Sequence, residues 1–436
     1  MQKIFGTDGA RGVYGVDITP KLAFDMGRAL AVYTKAEKNI LIAKDTRDSC
    51  DVLLTAFASG AMSVGANVVC MGLVTTPCLS YTTRYGDFAC GVMITASHNS
   101  CEYNGIKIFK SNGEKLGEKE EKELTDIYEN IDSICKKQKF QCGKFVVNNS
   151  LIKKYIKYLK SFINDNCLNK SIAFDCANGV SHVIIKKIFD KNNKNIYLIN
   201  TSQEGNKVNK NCGATDPKSL SNFVVKNKID IGFAFDGDGD RIIAVDNRGQ
   251  IIDGDDILYN LAIYLKGKKA LNKNVVVGTS MTNMALEKAF YDGGIQIERV
   301  DVGDKYIVDR LVKEKLSLGG EKAGHIIPYQ YTNTGDGVLV ALLLAKIANE
   351  RAIEKIKNCP QKIVNIECSK KAKDNILSNI ELKNFIQTIK DKYINYRVVV
   401  RPSGTENKIR IMVEGEKTDN VEDIIKQITD NILKLL

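Results

Sequence analysis

The sequence lacks the features by which membrane and secreted proteins are recognised. No run of about 18 uncharged apolar residues is present, the length that a membrane-spanning helix needs. The first residues, MQKIFG, carry neither the basic head nor the apolar stretch of a signal peptide. These absences predict a cytoplasmic protein that does not enter a membrane.

The chain has 12 cysteines, but the sequence gives little support for disulfides or cysteine metal sites. The cysteines form no CxxC pair and no zinc-ligand spacing. Most lie in or beside apolar runs, as Cys70 does between Val69 and Met71. We therefore expect reduced, buried thiols rather than disulfides or metal ligands.

The net charge of +11 comes from scattered lysines, and no basic stripe interleaved with aromatic residues is present. The charge therefore argues against a nucleic-acid partner and favours an anionic small substrate or a lysine-rich surface. An apolar fraction of 44% is typical of a globular protein. At 436 residues the chain is too long for one core and should divide into three or four domains.

One pattern occurs three times along the chain: an apolar strand, a small polar turn and a helical segment. It is found in ILIAKDTRDS from Ile40, SIAFDCANGV from Ser171 and NVVVGTSMTN from Asn274. Each copy is followed by a second apolar strand that runs into a polar loop, as in CGVMITASHNS, IGFAFDGDGDR and LSLGGEKAGHI. Alternating strands and helices predict layered α/β units with ligand loops at the carboxyl ends of strands.

The last part of the chain differs, because YRVVVRPSGTENKIRIMVEG alternates like two strands around a turn. It predicts a smaller α+β domain with a fourth loop. We place the domains at 1–145, 146–248, 249–360 and 361–436, each with one of the four polar loops.

The first motif, ITASHNS, places Ser97 and His98 on a loop of small residues after an apolar strand. Ser97 is a candidate nucleophile, although an ordinary Ser/Thr turn would have the same composition. The chain has no GxSxG elbow and no lysine three residues after Ser97, which excludes two classes of serine hydrolase. His98 is one of three histidines in the chain.

The second motif, FDGDGDR, alternates three carboxylates with glycines: Asp236, Asp238 and Asp240. Carboxylates at this spacing project together from an extended loop and predict a site for a hard cation, while a solvated acidic turn is the alternative. An EF-hand is excluded because its sixth position would be Arg241 and its twelfth Asn247, where glycine and glutamate are required.

The other motifs carry polar and charged groups that can form hydrogen bonds to a ligand. RPSGTENKIR combines guanidinium forks, hydroxyls and free amides suited to a dianionic phosphate, or forms a polar hairpin turn. GEKAGHI offers Glu321 and His325, while YNGIKIF and FGTDGARG offer Lys107 and Arg11. Taken singly, the last two residues would be ordinary surface charges.

These four loop motifs, in this order, resemble the phosphohexomutase superfamily. FGTDGARG and VGDKYIVDRL make the chain similar, within that superfamily, to the phosphoglucosamine mutases. The resemblance implies an α/β fold of four domains around a central cleft: three related α/β/α layered domains with mixed sheets and a smaller C-terminal α+β domain. It also implies an enzyme that interconverts glucosamine 6-phosphate and glucosamine 1-phosphate for UDP-N-acetylglucosamine and peptidoglycan precursors.

The resemblance also implies roles for single residues. Catalysis would depend on phosphorylated Ser97, with His98, Lys107 and Arg11 beside the transferring phosphate. One Mg²⁺ would be held by the three aspartates and a phosphate oxygen on Ser97, and a hexosamine or hexose 1,6-bisphosphate would act as activator. The substrate-binding residues would be Arg241, Glu321, His325, Arg401, Ser403, Gly404, Thr405 and Arg410.

Three other functions stay open at this point: a phosphomannomutase or phosphoglucomutase, a non-catalytic phosphosugar-binding protein, and a metal-dependent phosphatase. The chain departs from the family at Ala323, where serine is usual, and at Lys305, where arginine is usual. Ala323 bears on which sugar is preferred, because the serine hydroxyl is a plausible sugar contact. The expected partner is a phosphosugar alone, and the oligomeric state is left open, a homodimer being one alternative.

Overall fold

The computed structural model describes residues 9–137, 141–163, 169–189, 193–402 and 407–436. Within these ranges the chain forms four β-sheets, each packed with helices, in the order of the four predicted domains. None of the described helices combines the length and apolarity needed to cross a membrane. The predicted α/β fold class, with mixed sheets and a smaller final domain, is confirmed.

Six strands of the described chain form the first sheet: β1 (Ala10–Val13), β2 (Asn39–Lys44), β3 (Val68–Leu73), β4 (Phe88–Ile94), β5 (Tyr103–Lys110) and β6 (Phe145–Val147). Their spatial order is β1-β5-β4-β2-β3-β6. Strands β2, β3, β4 and β6 are parallel, whereas β5 is antiparallel to β4 and β1 to β5. The helices are α1 (Pro20–Tyr33), α2 (Cys50–Ser63), α3 (Thr76–Tyr85), α4 (Glu118–Glu129) and α5 (Ile131–Lys137).

The second sheet has the order β11-β10-β9-β7-β8. Its strands are β7 (Ile172–Asp175), β8 (Ile196–Ile199), β9 (Ile231–Phe235), β10 (Ile242–Asp246) and β11 (Ile251–Ile252). Strand β7 is parallel to β8 and β9, and β10 is antiparallel to β9 and β11. The described helices of this part are α6 (Ile152–Lys160), α7 (Ser181–Ile188) and α8 (Lys218–Asn227).

The third sheet has the order β13-β12-β14-β15. Its strands are β12 (Val275–Thr279), β13 (Gln296–Val300), β14 (Gly319–Gly320) and β15 (Ile326–Ile327). Strand β12 is parallel to β13 and β14, and β14 is antiparallel to β15. The accompanying helices are α9 (Gly254–Gly267), α10 (Met284–Asp292), α11 (Asp304–Glu314) and α12 (Gly337–Glu350).

These three sheets share one local arrangement, which accounts for the threefold sequence pattern. In each, a strand from the repeated segment (β2, β7 or β12) lies parallel to the strand that carries the polar loop (β4, β9 or β14). The chain then returns in an antiparallel strand, β5, β10 or β15. The three polar loops therefore lie at equivalent carboxyl ends of their sheets, where α/β folds bind ligands.

The fourth sheet is antiparallel throughout and has the order β16-β18-β17. Its elements are β16 (Gln361–Glu367), α13 (Lys370–Ser378), α14 (Ile380–Lys392), β17 (Arg397–Pro402), β18 (Lys408–Glu414) and α15 (Thr418–Leu433). Alternate residues of β18 face the helices, so that Ile409, Ile411 and Val413 are buried in the sheet's own core. This is the predicted α+β domain.

The cores show which domains belong together. One apolar cluster extends from Leu41 in the first domain through Phe174 in the second to Ala348 in the third. Helix α12 contributes eleven buried residues, because it is apolar on nearly every face. The fourth domain has a separate cluster. The first three domains are therefore one packed unit, to which the fourth is attached.

The described cysteines behave as the sequence suggests. All eleven are free thiols, and six of them are buried. Burial raises the pKa of the Cys90 thiol to about 12, so it stays protonated near neutral pH. These thiols are apolar packing groups.

Candidate active site

Ser97 lies on the loop that follows β4, with only 1% of its surface exposed. Its backbone φ is +52°, in the left-handed region that residues other than glycine rarely adopt. The Ser97 N–H donates to Thr95 Oγ1 at 2.9 Å, which closes the turn. Ser97 Oγ donates to Asp236 Oδ2 at 2.6 Å, and His98 Nδ1 lies 3.4 Å from the same hydroxyl.

The three aspartates after β9 come together as predicted. Asp236, Asp238 and Asp240 each offer a carboxylate oxygen, and these atoms all lie within 4.8 Å of one another. Lys107 Nζ, on β5, donates to Asp238 Oδ2 at 2.9 Å and to Asp240 Oδ2 at 2.8 Å. All four side chains are buried, and Thr76 Oγ1 donates to Asp238 Oδ2 at 2.5 Å.

The surroundings shift the pKa values of two of these aspartates in opposite directions. Burial, together with the charges of Asp240 and Asp238, raises the pKa of Asp236 well above its usual range. Burial acts in the same direction on Asp240, but the Lys107 and His325 charges outweigh it and hold the pKa of Asp240 well below its usual range. A further cation would favour the ionised form of Asp236.

The residues fit a divalent metal ion. Asp238 Oδ1 is buried and has no hydrogen-bond partner in the described structure, although a buried carboxylate oxygen normally has one. Three carboxylate oxygens with the Ser97 oxygen beside them form a hard, all-oxygen donor set. The three aspartates can therefore bind a metal.

His325 connects the third domain to the same cluster. Its Nε2 lies 3.2 Å from the Gly335 backbone nitrogen, and its Nδ1 lies 3.5 Å from Asp240 Oδ1. Asp304, at the start of α11, lies 3.4 Å from Nε2 and is paired with Lys115. Burial lowers the pKa of His325, but the Asp240 and Asp304 carboxylates outweigh it and the net pKa is raised.

A cavity of about 600 Å³ opens beside Ser97 and the aspartates. The side chains of Arg11, His98, Arg241 and Glu321 line it, together with those of Asp240 and His325. Arg11 Nη1 donates to Asn99 Oδ1 at 3.0 Å, and Arg241 Nη2 lies 3.6 Å from Glu321 Oε1. Six predicted residues of the first three domains therefore line one cavity, while Ser97 and Lys107 are connected to it through His98 and Asp240.

Arg401 and Arg410, the predicted phosphate-binding residues that the structure describes, do not line this cavity. Arg401 on β17 is directly opposite Arg410 on β18. Burial and the neighbouring Arg410 charge lower the pKa of Arg401. Like charges paired across strands are destabilising unless an anion lies between them. None of the described residues lining the cavity comes from the fourth domain, and Ser403, Gly404 and Thr405 lie outside the described residues.

Four residues that contact this site have no role in the sequence analysis: Asp45, Arg47, Thr76 and Asn209. Thr76 bonds to Asp238, and the other three bond to the Ser97 loop directly or through Thr95. The available signal was KDTRDS, in which an acid and an arginine follow a buried strand at the position of the other ligand loops. Thr76 and Asn209 had no comparable signal.

Comparison with known proteins assigns the chain to a family. Four profiles match in order, described as phosphoglucomutase/phosphomannomutase α/β/α domain I (residues 2–134), domain II (153–249), domain III (253–363) and C-terminal domain (363–431). A phosphoglucosamine mutase of Clostridium beijerinckii is 39% identical, over 100% of this chain and 99% of the relative. One of Caldicellulosiruptor saccharolyticus is 41% identical over the same shares. The chain belongs to the phosphoglucosamine mutase family.

Solved structures show the fold of this family's wider superfamily. A phosphoglucomutase/phosphomannomutase family protein of Burkholderia thailandensis aligns with a TM-score of 0.80 at 21% identity, covering 100% of this chain and 97% of that protein. An N-acetylglucosamine-phosphate mutase in a product complex aligns with a TM-score of 0.68 at 17% identity, covering 99% and 96%. As a member of the phosphoglucosamine mutase family, the chain is an enzyme of the isomerase class, with the phosphohexomutase architecture.

Proposed function

We propose that this enzyme interconverts glucosamine 6-phosphate and glucosamine 1-phosphate by using Ser97 as a phosphorylated nucleophile. One observation carries the proposal: Ser97 Oγ is buried 2.6 Å from Asp236 Oδ2, and His98, whose Nδ1 lies 3.4 Å from that oxygen, lines a cavity together with Arg11 and Arg241. The amino sugar is suggested by the full-length relatives, which are named phosphoglucosamine mutases.

The first proposed step forms a sugar bisphosphate. The bond between phosphorus and Ser97 Oγ breaks, a bond to O1 of glucosamine 6-phosphate forms, and the O1 hydroxyl loses its proton. His98 is proposed to accept this proton and to pass it to the departing Ser97 Oγ, because its Nδ1 lies 3.4 Å from that oxygen and imidazole exchanges protons near neutral pH. The 1,6-bisphosphate then reorients, returns its 6-phosphoryl group to Ser97 and leaves as glucosamine 1-phosphate.

The negative charge of the transferring phosphoryl group can be stabilised by residues that are already in place. Lys107 is buried beside Ser97, and Arg11 lines the cavity mouth, so both can stabilise the transferring phosphoryl group. Asp236, Asp238 and Asp240 are proposed to hold Mg²⁺, which when bound would neutralise charge on the phosphoryl oxygens. Burial of Ser97 protects its phosphate from water.

The distal phosphate is proposed to bind in the fourth domain. The facing guanidinium groups of Arg401 and Arg410 suit a dianion, and Ser403, Gly404 and Thr405 are proposed to add hydroxyl and amide donors. Arg241, Glu321 and His325 are proposed to bind the sugar. This phosphate-binding site has to accept the bisphosphate in both orientations. A hexosamine or hexose 1,6-bisphosphate is the proposed activator, which phosphorylates Ser97.

The test is a mutase assay with Mg²⁺ and a trace of hexose 1,6-bisphosphate, comparing glucosamine, glucose and mannose 6-phosphates. We expect the amino sugar to react fastest and Ser97→Ala to lower kcat by at least about 10³-fold, since the nucleophile is lost. The control is Ser133→Ala, at an exposed serine on α5.

Other outcomes of this assay identify the alternatives. A faster reaction with mannose or glucose phosphate would assign the chain to the phosphomannomutases or phosphoglucomutases, and exposed Ala323 is where such a difference in preference is expected. Release of inorganic phosphate would indicate a phosphatase. The cytoplasmic location and the homodimer remain predictions, which cell fractionation and light scattering can test.

A further inference from the structure

Arg47 is an arginine that is completely enclosed by the protein. It follows β2, and none of its side chain is exposed. Its guanidinium group has five N–H donors, and the structure provides an acceptor for each. Nε donates to Asp45 Oδ2 at 3.0 Å, while the other four N–H groups donate to backbone carbonyls of the Ser97 loop.

The four carbonyls belong to one continuous turn. Nη2 donates to Ser97 O at 2.9 Å and to Asn99 O at 2.8 Å. Nη1 donates to Ser100 O and, at 2.9 Å, to Tyr103 O. One planar group therefore determines where the loop between β4 and β5 turns.

Asp45 extends this contact to the other side of Ser97. Its Oδ2 accepts the Thr95 hydroxyl at 2.7 Å, and Thr95 Oγ1 in turn accepts the Ser97 N–H at 2.9 Å. Both backbone groups of Ser97 are thus bound, directly or through Thr95, to the Asp45–Arg47 ion pair. From the second domain, Asn209 Nδ2 adds a bond to Ser97 O at 2.8 Å.

These bonds explain why Ser97 can hold a φ of +52°. A left-handed backbone is unfavourable for serine and persists only where the surroundings determine it. Relaxing Ser97 to a right-handed or extended backbone would turn its carbonyl away from Arg47 and Asn209. It would also move Oγ from its position 2.6 Å from Asp236 Oδ2.

We propose that Arg47 is a positioning residue for the phosphoryl transfer, which it serves by holding Ser97 in the left-handed turn that directs Oγ into the aspartate cluster. This inference rests on the proposed function of Ser97. It separates two roles within the site, because Arg47 acts through the backbone of the Ser97 loop and does not itself line the cavity that receives the sugar.

The test variant is Arg47→Lys, which keeps a positive charge beside Asp45 but has three donors and no planar fork. We expect kcat to fall about 10²-fold, the effect of a small misplacement of a reacting group, while KM for the sugar phosphate changes less than about 2-fold. The matched control is Arg28→Lys, at a mostly buried arginine on α1 that pairs with Asp25 and Asp132 away from the loop.

Hydrogen exchange measured by mass spectrometry supplies a readout that does not depend on activity. In Arg47→Lys, amides of residues 95–103 should exchange at least about 10-fold faster, because their loop opens locally, while the amides of α1 should not change. Arg28→Lys should show no change in the loop. If wild-type protein lacks mutase turnover, the proposed function fails, and loop exchange alone decides whether Arg47 holds Ser97.

Two results would overturn the inference. One is an active Arg47→Lys enzyme whose kcat and loop exchange match the wild type. The other is equal acceleration of exchange across the whole first domain with kcat per folded molecule unchanged, which indicates a purely structural ion pair. If Arg47→Lys does not fold, Thr95→Val removes the link from Asp45 to Ser97 N–H at nearly constant volume, and it should lower kcat without changing KM.

Discussion

At the scale of single residues, the aspartate cluster contains a buried lysine that is paired with carboxylates. Lys107 is buried, with 1% exposure, and bonds to both Asp238 and Asp240. Lysine is rarely buried unless it is paired, so these carboxylates account for its position. Lys107 is paired with two of the three carboxylates, while Asp238 Oδ1 still lacks, among the described residues, a partner that a metal ion would supply.

The first prediction concerns Asp238, whose Oδ1 is buried without a partner. Magnesium should raise the melting temperature of the wild type, since a ligand at 100 times its Kd adds about 2.7 kcal/mol to the free energy of unfolding. Asp238→Asn should lose most of this shift because a charged ligand atom is removed. Thermal melts with EDTA and with Mg²⁺ measure both effects.

The control for this prediction is Asp246→Asn. Asp246 ends β10 and bonds to Arg248, away from the cluster. This variant should respond to Mg²⁺ like the wild type. An Asp238→Asn protein that keeps the full magnesium shift would show that the metal binds elsewhere.

At the scale of elements, helix α12 begins at a buried carboxylate. Asp336 is its N-cap, and Oδ1 accepts the Leu339 N–H at 3.0 Å. Oδ2 accepts the Tyr155 hydroxyl at 2.8 Å, which joins α12 to α6. Burial raises the pKa of Asp336 to about 6 because these hydrogen bonds only partly compensate for lost hydration. The cap should therefore be sensitive to pH.

The second prediction follows from that pKa. A carboxyl whose folded pKa exceeds its ordinary 3.8 binds its proton more tightly when folded, so its contribution to stability is lost as pH rises from about 4 through about 6. Asp336→Asn keeps one of the two acceptor oxygens but does not titrate. Between pH 4.5 and 7.5, the free energy of unfolding should therefore shift in favour of the variant by about 2 kcal/mol.

Urea denaturation of both proteins across this pH range measures the effect. Comparing the two proteins cancels the titration of other groups, which is common to both. A difference that stays constant with pH would contradict the expected titration of Asp336.

At the scale of the whole molecule, the fourth domain is held by few polar contacts. Arg397 Nη2 donates to Thr282 O at 2.7 Å and lies 2.5 Å from Glu414 Oε1 in a salt bridge. Asn283 bonds to both backbone groups of Cys359 in the connection between the domains. With a separate apolar core, such a domain is expected to move relative to the others.

The third prediction uses Arg397→Lys, which keeps a charge for buried Glu414 but loses the fork that also reaches Thr282. Looser docking should lower the population of the binding-competent arrangement and raise KM for the phosphosugar about 2- to 5-fold. The control is Lys362→Gln, at a lysine that pairs with Glu422 within the fourth domain. Steady-state kinetics and small-angle scattering measure the effect. An unchanged KM would show that the contact between Arg397 and Thr282 does not affect binding of the phosphosugar.

Much of the fold and site could be predicted because the pattern is local. Strands β4 and β9 are continuous apolar runs that end in small polar residues, so their loops could be placed at sheet ends. Asp236, Asp238 and Asp240 converge because they alternate with glycines on a single loop. Arg47 escaped prediction because four of its five acceptors are backbone carbonyls, whose positions residue types do not reveal. Thr76 and Asn209 escaped it because they approach from separate segments.

The sequence by itself determined the α/β class, the four-part order and the chemistry of each loop, since strand pattern and residue type are local properties. Tertiary structure alone decided which loops meet. Ser97 and Asp236 are 139 positions apart, and their contact exists because three sheets share one core. It also decided that Ser97 adopts a left-handed turn, and that Arg401 and Arg410 remain outside the cavity, because long-range packing sets such positions.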